Sequence, residues 1–344
     1  MLVRLVLAAA VIFAATATPL FARDLAIVSR GDGLLTALQE VYVQPFTMAT
    51  EIPVIQESWE GGLDTLRTRV KTPDNGWDIV QVDPDELATG CSEGIFEKLD
   101  WPAVGGKEHY APMAVSDCGV GAVLANVVLA WDKEKFPATP NWADFWDVAK
   151  YPGKRGLAKG LRTTLEIALM ADGVAPGDVY KTLGSAEGVD RAFRKLDQLI
   201  PYIAWWQTEA DAARILASGD VLMTTAPSGR VVTANRMDKR KLGIQFAASL
   251  YEVQSWAVLK GSPNLRQAQQ FLYFAGTPAI AVRLLRLSGD AGLAKGINEG
   301  LTPELLAISP TAQPNLSVAL RIDAGFWRDN AARLKPRFDA WLGP

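Results

Sequence analysis

The chain has 344 residues, 49% of them hydrophobic and 21% charged, with a formal net charge of −3. That is enough apolar material to bury two cores, so two domains are expected. The near-neutral balance offers no extended basic surface for a phosphate backbone, which argues against nucleic acid as a partner. One histidine and two cysteines are too few for an ordinary zinc site, so no metal and no cofactor is expected.

The chain opens with MLVRLVLAAAVIFAATATPLFARD, in which Arg4 precedes an apolar run and then small residues. This reads as a secretory signal over residues 1–22, cut near Ala22, and it predicts export to the periplasm. A membrane anchor is the weaker reading, because the run is short of the roughly 20 apolar residues that span a bilayer. Export makes a disulfide between Cys91 and Cys118 the expected state, with two buried free thiols as the alternative.

DLAIVSRGDG is a β-rich run ended by glycines, and LLTALQEVYVQPFTMATE follows with helical spacing until Pro45 interrupts it. IPVIQES reads as a strand, GGLDTLRTRVKT as a helix and WDIVQVDP as a strand. Alternating β and α elements argue for an α/β fold with functional loops at one sheet edge. Those loops hold Arg30 and Asp32, then Trp59 and Glu60, then Asp83 and Asp85. Gly31 and Gly33 fit a tight βα turn better than a nucleotide loop.

From VLANVVLAWDKEKFP onward the chain turns aromatic and basic, which reads as passage into a second domain. GVDRAFRKLDQLI is an amphipathic helix. WWQTEADAARILASGDVLMTTAPSGRVV reads as a helix, a strand and a glycine turn. SLYEVQSWAVLKG reads as a strand leading back, before the helix NLRQAQQFLYFAG. His109 lies in a polar loop and is expected at the surface. With no nucleophile elbow, phosphate loop or HExxH, catalysis is the weaker class of explanation.

The blocks CGVGAVLANVVLAWDKEKFP, WADFWDVAKYPGKRGL, LEIALMADGV and EGVDRAFRKLDQL closely resemble the extracellular solute-binding proteins of ABC importers, within them the spermidine/putrescine-binding branch. The resemblance implies a type II periplasmic binding protein, an α/β fold of two lobes. Each lobe would be a mixed β-sheet flanked by helices, with the ligand cleft between the lobes. The implied lobes are 23–128 plus 254–305 and 129–253 plus 306–344, with crossings near Val128 to Ala130 and near Tyr251 to Trp256. The implied partners are a small amine and the membrane permease subunits, bound by a monomer.

Polyamine sites of this family pair carboxylates with ammonium groups and sandwich methylenes between aromatic faces. Where relatives write Tyr-Asp-Leu-Asp-Ser-Trp, this chain has Tyr251, Glu252, Val253, Gln254, Ser255 and Trp256, so an expected carboxylate is an amide. An aromatic is replaced at Pro227-Ser228-Gly229, Ser29-Arg30 stands where putrescine binders place Trp-Ser, and a later Tyr-Gly-Pro element is Ser288-Gly289-Asp290. Glu166 has two readings: a capping box with Thr163, or an amine-binding carboxylate facing the cleft. The basic run Lys154, Arg155, Lys159 and Arg162 reads as a solvated lobe surface. Trp59 is the remaining aromatic platform, Glu60, Asp83 and Asp85 are ammonium partners, and Ser228, Gln254 and Ser255 offer neutral hydrogen bonds. Of Trp205 and Trp206, one is expected in the core and the other at the hinge or cleft.

The expected function is capture of a putrescine- or spermidine-like solute for an importer. One alternative keeps the fold but binds an amino acid, opine-like amine or carboxylate through Arg30. A sensory receptor role and an exported enzyme are the further alternatives.

Overall fold

A computed structural model describes residues 23–31, 35–72 and 76–343 of the protein. The expected signal, residues 1–22, and the candidate residue Asp32 lie outside the described residues. The strands are β1 (Leu25–Arg30), β2 (Val54–Trp59), β3 (Ile79–Val82), β4 (Gly119–Asp132), β5 (Arg155–Ala158), β6 (Ile203–Trp206), β7 (Met223–Ala226), β8 (Leu242–Val258) and β9 (Leu320–Arg321). They form one curled sheet in the order β2-β1-β3-β8-β4-β7-β5-β6, with β9 paired to β8.

β1 runs parallel to β2 and β3 toward one end of the sheet, and β5 runs parallel to β6 and β7 at the other. Helices cover both faces of such sheets, so inner strands such as β3 are buried along their whole length, apolar but for Gln81. β2, at the edge, alternates half-buried and exposed positions before Trp59. The long antiparallel strands β4 and β8 join the two ends. Their register shifts between Gly121 and Val123 and again between Val127 and Leu129, and such bulges bend a ladder.

Apolar contacts change partner along these two strands. Leu124 and Val253 pack in a core with Ile27, Phe46 and Phe271, whereas Leu129 and Leu250 pack in another with Phe145, Leu169, Trp327 and Phe338. The result is the two-lobed α/β architecture: a first lobe around β1, β2 and β3, and a second around β5, β6 and β7.

Two local expectations are corrected. Pro45 does not end its helix: Leu35–Leu38 passes through a π turn, Gln39–Val43, into the helix Gln44–Thr50. Pro45 then sits in the first turn of that last segment, directly after the π turn, so the hydrogen bond its missing N–H forfeits falls where the helical ladder is already irregular. The supposed glycine turn at Pro227-Ser228-Gly229 is the entry to the helix Ser228–Met237.

Cys91 and Cys118 form a disulfide that ties the helix Pro84–Ser92 to the start of β4. Among the described residues no helix is long and apolar enough to cross a membrane, and no His, Cys, Asp or Glu cluster could hold a metal ion. His109 is exposed.

Candidate ligand-binding cleft

Carboxyl ends of parallel strands from both lobes converge on one cavity of about 520 Å³. Arg30 and Gly31 enter it from β1, Trp59 and Glu60 from β2, Gln207 to Ala210 from the end of β6, and Pro227 and Arg230 from the end of β7. Asn126 of β4, Gln254 of β8 and Asp290 also line it. Gly31 turns the chain at φ +59°, a left-handed conformation that suits glycine.

Arg30 and Trp59 are register partners at the last rung of β1 and β2. The Arg30 guanidinium stands 5.2 Å from the Trp59 ring centroid, so the one aromatic that lines the cavity among the described residues is already faced by a cation. Arg30 Nη2 donates to Asp83 Oδ2 at 2.5 Å and to Glu86 Oε2 at 2.6 Å, while Nη1 donates to the Glu60 carbonyl at 2.7 Å. Asp83 and Glu86 also form the capping box of the helix Pro84–Ser92. Burial pushes the Asp83 carboxyl up, against the attraction of Arg30.

Gln254 fits this charge arrangement as an amide. Its Oε1 accepts from Gln81 Nε2 at 2.7 Å and its Nε2 donates to Asp83 Oδ1 at 3.0 Å, while Gln81 Oε1 accepts from the Arg30 backbone N–H at 3.2 Å. A carboxylate at 254 would confront Asp83 with like charge. Across the cavity, Arg230 Nη2 reaches Glu209 Oε2 at 3.4 Å. Asn126 donates to Ser228 Oγ at 2.8 Å and accepts from the Ser228 N–H at 2.9 Å, fixing the start of the helix Ser228–Met237 to β4.

Of the residues singled out from the sequence, Arg30, Trp59, Glu60 and Gln254 line the cavity, and Asp83 stands behind them on Arg30. Five others, Asp85, Glu166, Ser228, Tyr251 and Ser255, do not line it either. Ser228 is buried on Asn126; Ser255 is buried in the β8 ladder opposite Val82; Tyr251 packs against the first-lobe core. Asp85 lies 3.6 Å from Arg162.

Glu166 is fully buried inside the second lobe, where its Oε1 accepts from Trp327 Nε1 at 2.7 Å and from Tyr180 OH at 2.9 Å. No capping bond from Thr163 forms, because Thr163 takes φ +70° and its hydroxyl does not cap the helix Thr164–Ala171. Glu166 thus satisfies one buried and one partly buried donor instead of either expected role. The basic run is not uniformly solvated: Arg155 is buried, donating to the carbonyls of Phe145, Gly153 and Tyr151, and Arg162 donates to Glu252 at 2.5 Å. Trp206 is buried and Trp205 stacks edge-on against Trp341; neither lines the cavity, although the next residue, Gln207, does.

Sequence reasoning missed Arg230, Glu209 and Asp290. Glu209 follows the carboxyl end of a parallel strand, a signal that was available. Arg230 was obscured by reading its helix as a turn, and Asp290 was noted only as the end of a replaced Tyr-Gly-Pro element, not as a ligand group.

The geometry defines a two-lobed solute-binding protein whose cleft is lined by both signs of charge. Residues 42–305 match the model of the bacterial extracellular solute-binding proteins, and the chain belongs to that family. It is 39% identical over 320 residues, 93% of this chain and 91% of the relative, to a gamma-aminobutyric acid-binding protein of Pseudomonas aeruginosa. Among solved structures, an ABC transporter substrate-binding protein of Bradyrhizobium japonicum superposes with a TM-score of 0.82 at 29% identity, covering 93% of this chain and 99% of that one. The GABA receptor Atu4243 superposes with a TM-score of 0.81 at 27% identity, covering 93% and 98%. These relatives are solute-binding proteins.

Proposed function

We propose that the protein captures a small amino acid of the γ-aminobutyrate class and presents it to the permease of an ABC importer, without chemistry. The observation that carries this reading is the charge lining the cavity: guanidiniums from Arg30 and Arg230, and carboxylates from Glu60, Glu209 and Asp290. A zwitterion satisfies both signs. A diamine meets two fixed cations and, among the described residues, finds a single aromatic wall, which Arg30 already faces. The names of the relatives point the same way.

The mechanism is closure of two preformed lobes, in which the ligand's contacts with both walls supply the differential affinity for the closed state. The lobes are taken as 23–128 with 254–305 and 129–253 with 306–344, hinged on β4 and β8. Export through residues 1–22 to the periplasm agrees with the disulfide, which persists in oxidising compartments. The protein acts as a monomer, and no catalytic role is assigned to it.

Polyamine capture is the second reading, favoured by the excess of carboxylates over guanidiniums along the cavity wall. Calorimetric titration of protein refolded free of copurified solute separates the two. γ-Aminobutyrate is expected to bind with no displacement by putrescine, and Arg230→Gln to weaken it by at least about tenfold. Tight putrescine or spermidine binding with no response to aminobutyrate would overturn the first reading.

A further inference from the structure

We propose that the Asp290 carboxylate, seated on the cavity wall against Gly229, holds the ammonium end of the ligand. This rests on the reading of the ligand as an amino acid. Asp290 follows the helix Pro278–Ser288, whose Ile280 and Leu284 belong to the first-lobe core. Its turn is pinned: the Asp290 N–H donates to Ser288 Oγ at 3.2 Å, and the Ala291 carbonyl accepts from the β4 residue Leu124 at 2.9 Å.

Across from it lies the second lobe. A Cβ added at Gly229 would fall 2.4 Å from Asp290 Oδ1, so the absence of a side chain at 229 is what lets the carboxylate lie against the first turn of the helix Ser228–Met237. A group bound at Asp290 therefore touches a first-lobe residue at a point where the second lobe is already in contact. An ammonium there adds to closure as well as to capture.

The charged and titratable neighbours are Glu209 and Arg230 from the second lobe and Tyr42 from the first-lobe helical segment. Tyr42 is buried, which holds its phenol neutral. Burial, with Glu209 adding repulsion, pushes the Asp290 carboxyl up to about 6, against the Ser288 hydrogen bond and the Arg230 charge. An ammonium favours the ionised carboxylate, so binding below this value must expel a proton. A carboxylate of purely structural use would not couple to the ligand in this way.

The experiment is titration of the refolded protein with γ-aminobutyrate between pH 5 and 8, in two buffers of different ionisation enthalpy. Wild-type affinity is expected to fall as pH drops below 6, with about half a proton released per ligand near pH 6. Asp290→Asn is expected to bind at least about tenfold more weakly at pH 7.5 and to show no such pH dependence. Gly229→Ala, which pushes the carboxylate aside, is expected to weaken binding as well. Aminobutyrate binding without proton release, or an Asp290→Asn protein with wild-type affinity and pH profile, would overturn the role of Asp290 and leave the ligand reading standing. A wild-type protein that binds no amino acid at any pH would overturn both.

Discussion

Arg162 and Asp85 meet across the two lobes, Nη1 standing 3.6 Å from Oδ1, while the same guanidinium donates to Glu252 on the connecting strand β8 at 2.5 Å. Asp85 lies in the helix Pro84–Ser92, whose Leu87 packs in a first-lobe cluster with Val28 and Trp59. Arg162 adjoins Leu161, which packs against the second-lobe core. Burial, then the Asp83 charge, push the Glu252 carboxyl up to about 8 against the pull of Arg162. The pair is a bond that opening of the lobes would break. Asp85→Asn is expected to weaken ligand affinity by up to about fivefold, the upper range for a partly exposed ion pair, and to reduce its sensitivity to salt. Titration at low and high ionic strength checks this; unchanged affinity at both would show that the contact contributes nothing to closure.

Restoring the carboxylate that the polyamine branch carries should not restore polyamine binding. Gln254→Asp removes the donor to Asp83 and the amide that accepts from Gln81, and it sets two carboxylates side by side. The expected outcome is a protein destabilised by about 1–3 kcal/mol, with weaker aminobutyrate binding and no gain for putrescine. Urea unfolding and a putrescine titration measure both effects.

Glu166 gives a prediction about stability and pH. Burial pushes its carboxyl up, against hydrogen bonds from Trp327 and Tyr180. Its folded-state value lies above the unfolded one, so the folded protein holds the proton longer as pH rises. The contribution of this group to stability therefore falls with rising pH from the ordinary glutamate range through the raised value. Glu166→Gln is expected to remove that part of the decline, while Glu166→Ala leaves the buried Trp327 donor and the partly buried Tyr180 donor without an acceptor and costs about 3 kcal/mol. Unfolding midpoints at pH 5 and pH 8 for the three proteins decide it; parallel pH slopes for wild type and Glu166→Gln would refute the assignment.

The disulfide closes a loop with a sequence separation of 27. On the chain-entropy model this stabilises the folded protein by about 3.5 kcal/mol. Replacing both cysteines with alanine is expected to lower the unfolding free energy by about that amount while aminobutyrate affinity stays within about twofold, since neither cysteine lines the cavity.

The alternation of β and α elements, the loops at the strand ends and the family were legible in the residue order, because hydrophobic period and turn chemistry are local. Arg30, Trp59, Glu60 and Gln254 all line the cavity, and three of them stand at or just beyond the end of a strand recognisable in the residue order. Export chemistry likewise made Cys91 and Cys118 a pair, and they are bonded.

What only the tertiary structure decided is which charges face one another. Glu166 looked like a ligand or a cap until Trp327, 161 residues away, supplied a buried donor that claims its carboxylate. Asp83 looked like an open ammonium partner until Arg30, 53 residues away, occupied it. Asp290 joins Arg230 and Glu209 at the cavity from the other lobe, a meeting that no local spacing announces. A side chain's period is set by its neighbours in sequence, but its charge is neutralised or left for a ligand by its neighbours in space, and those are fixed only when the lobes fold and meet.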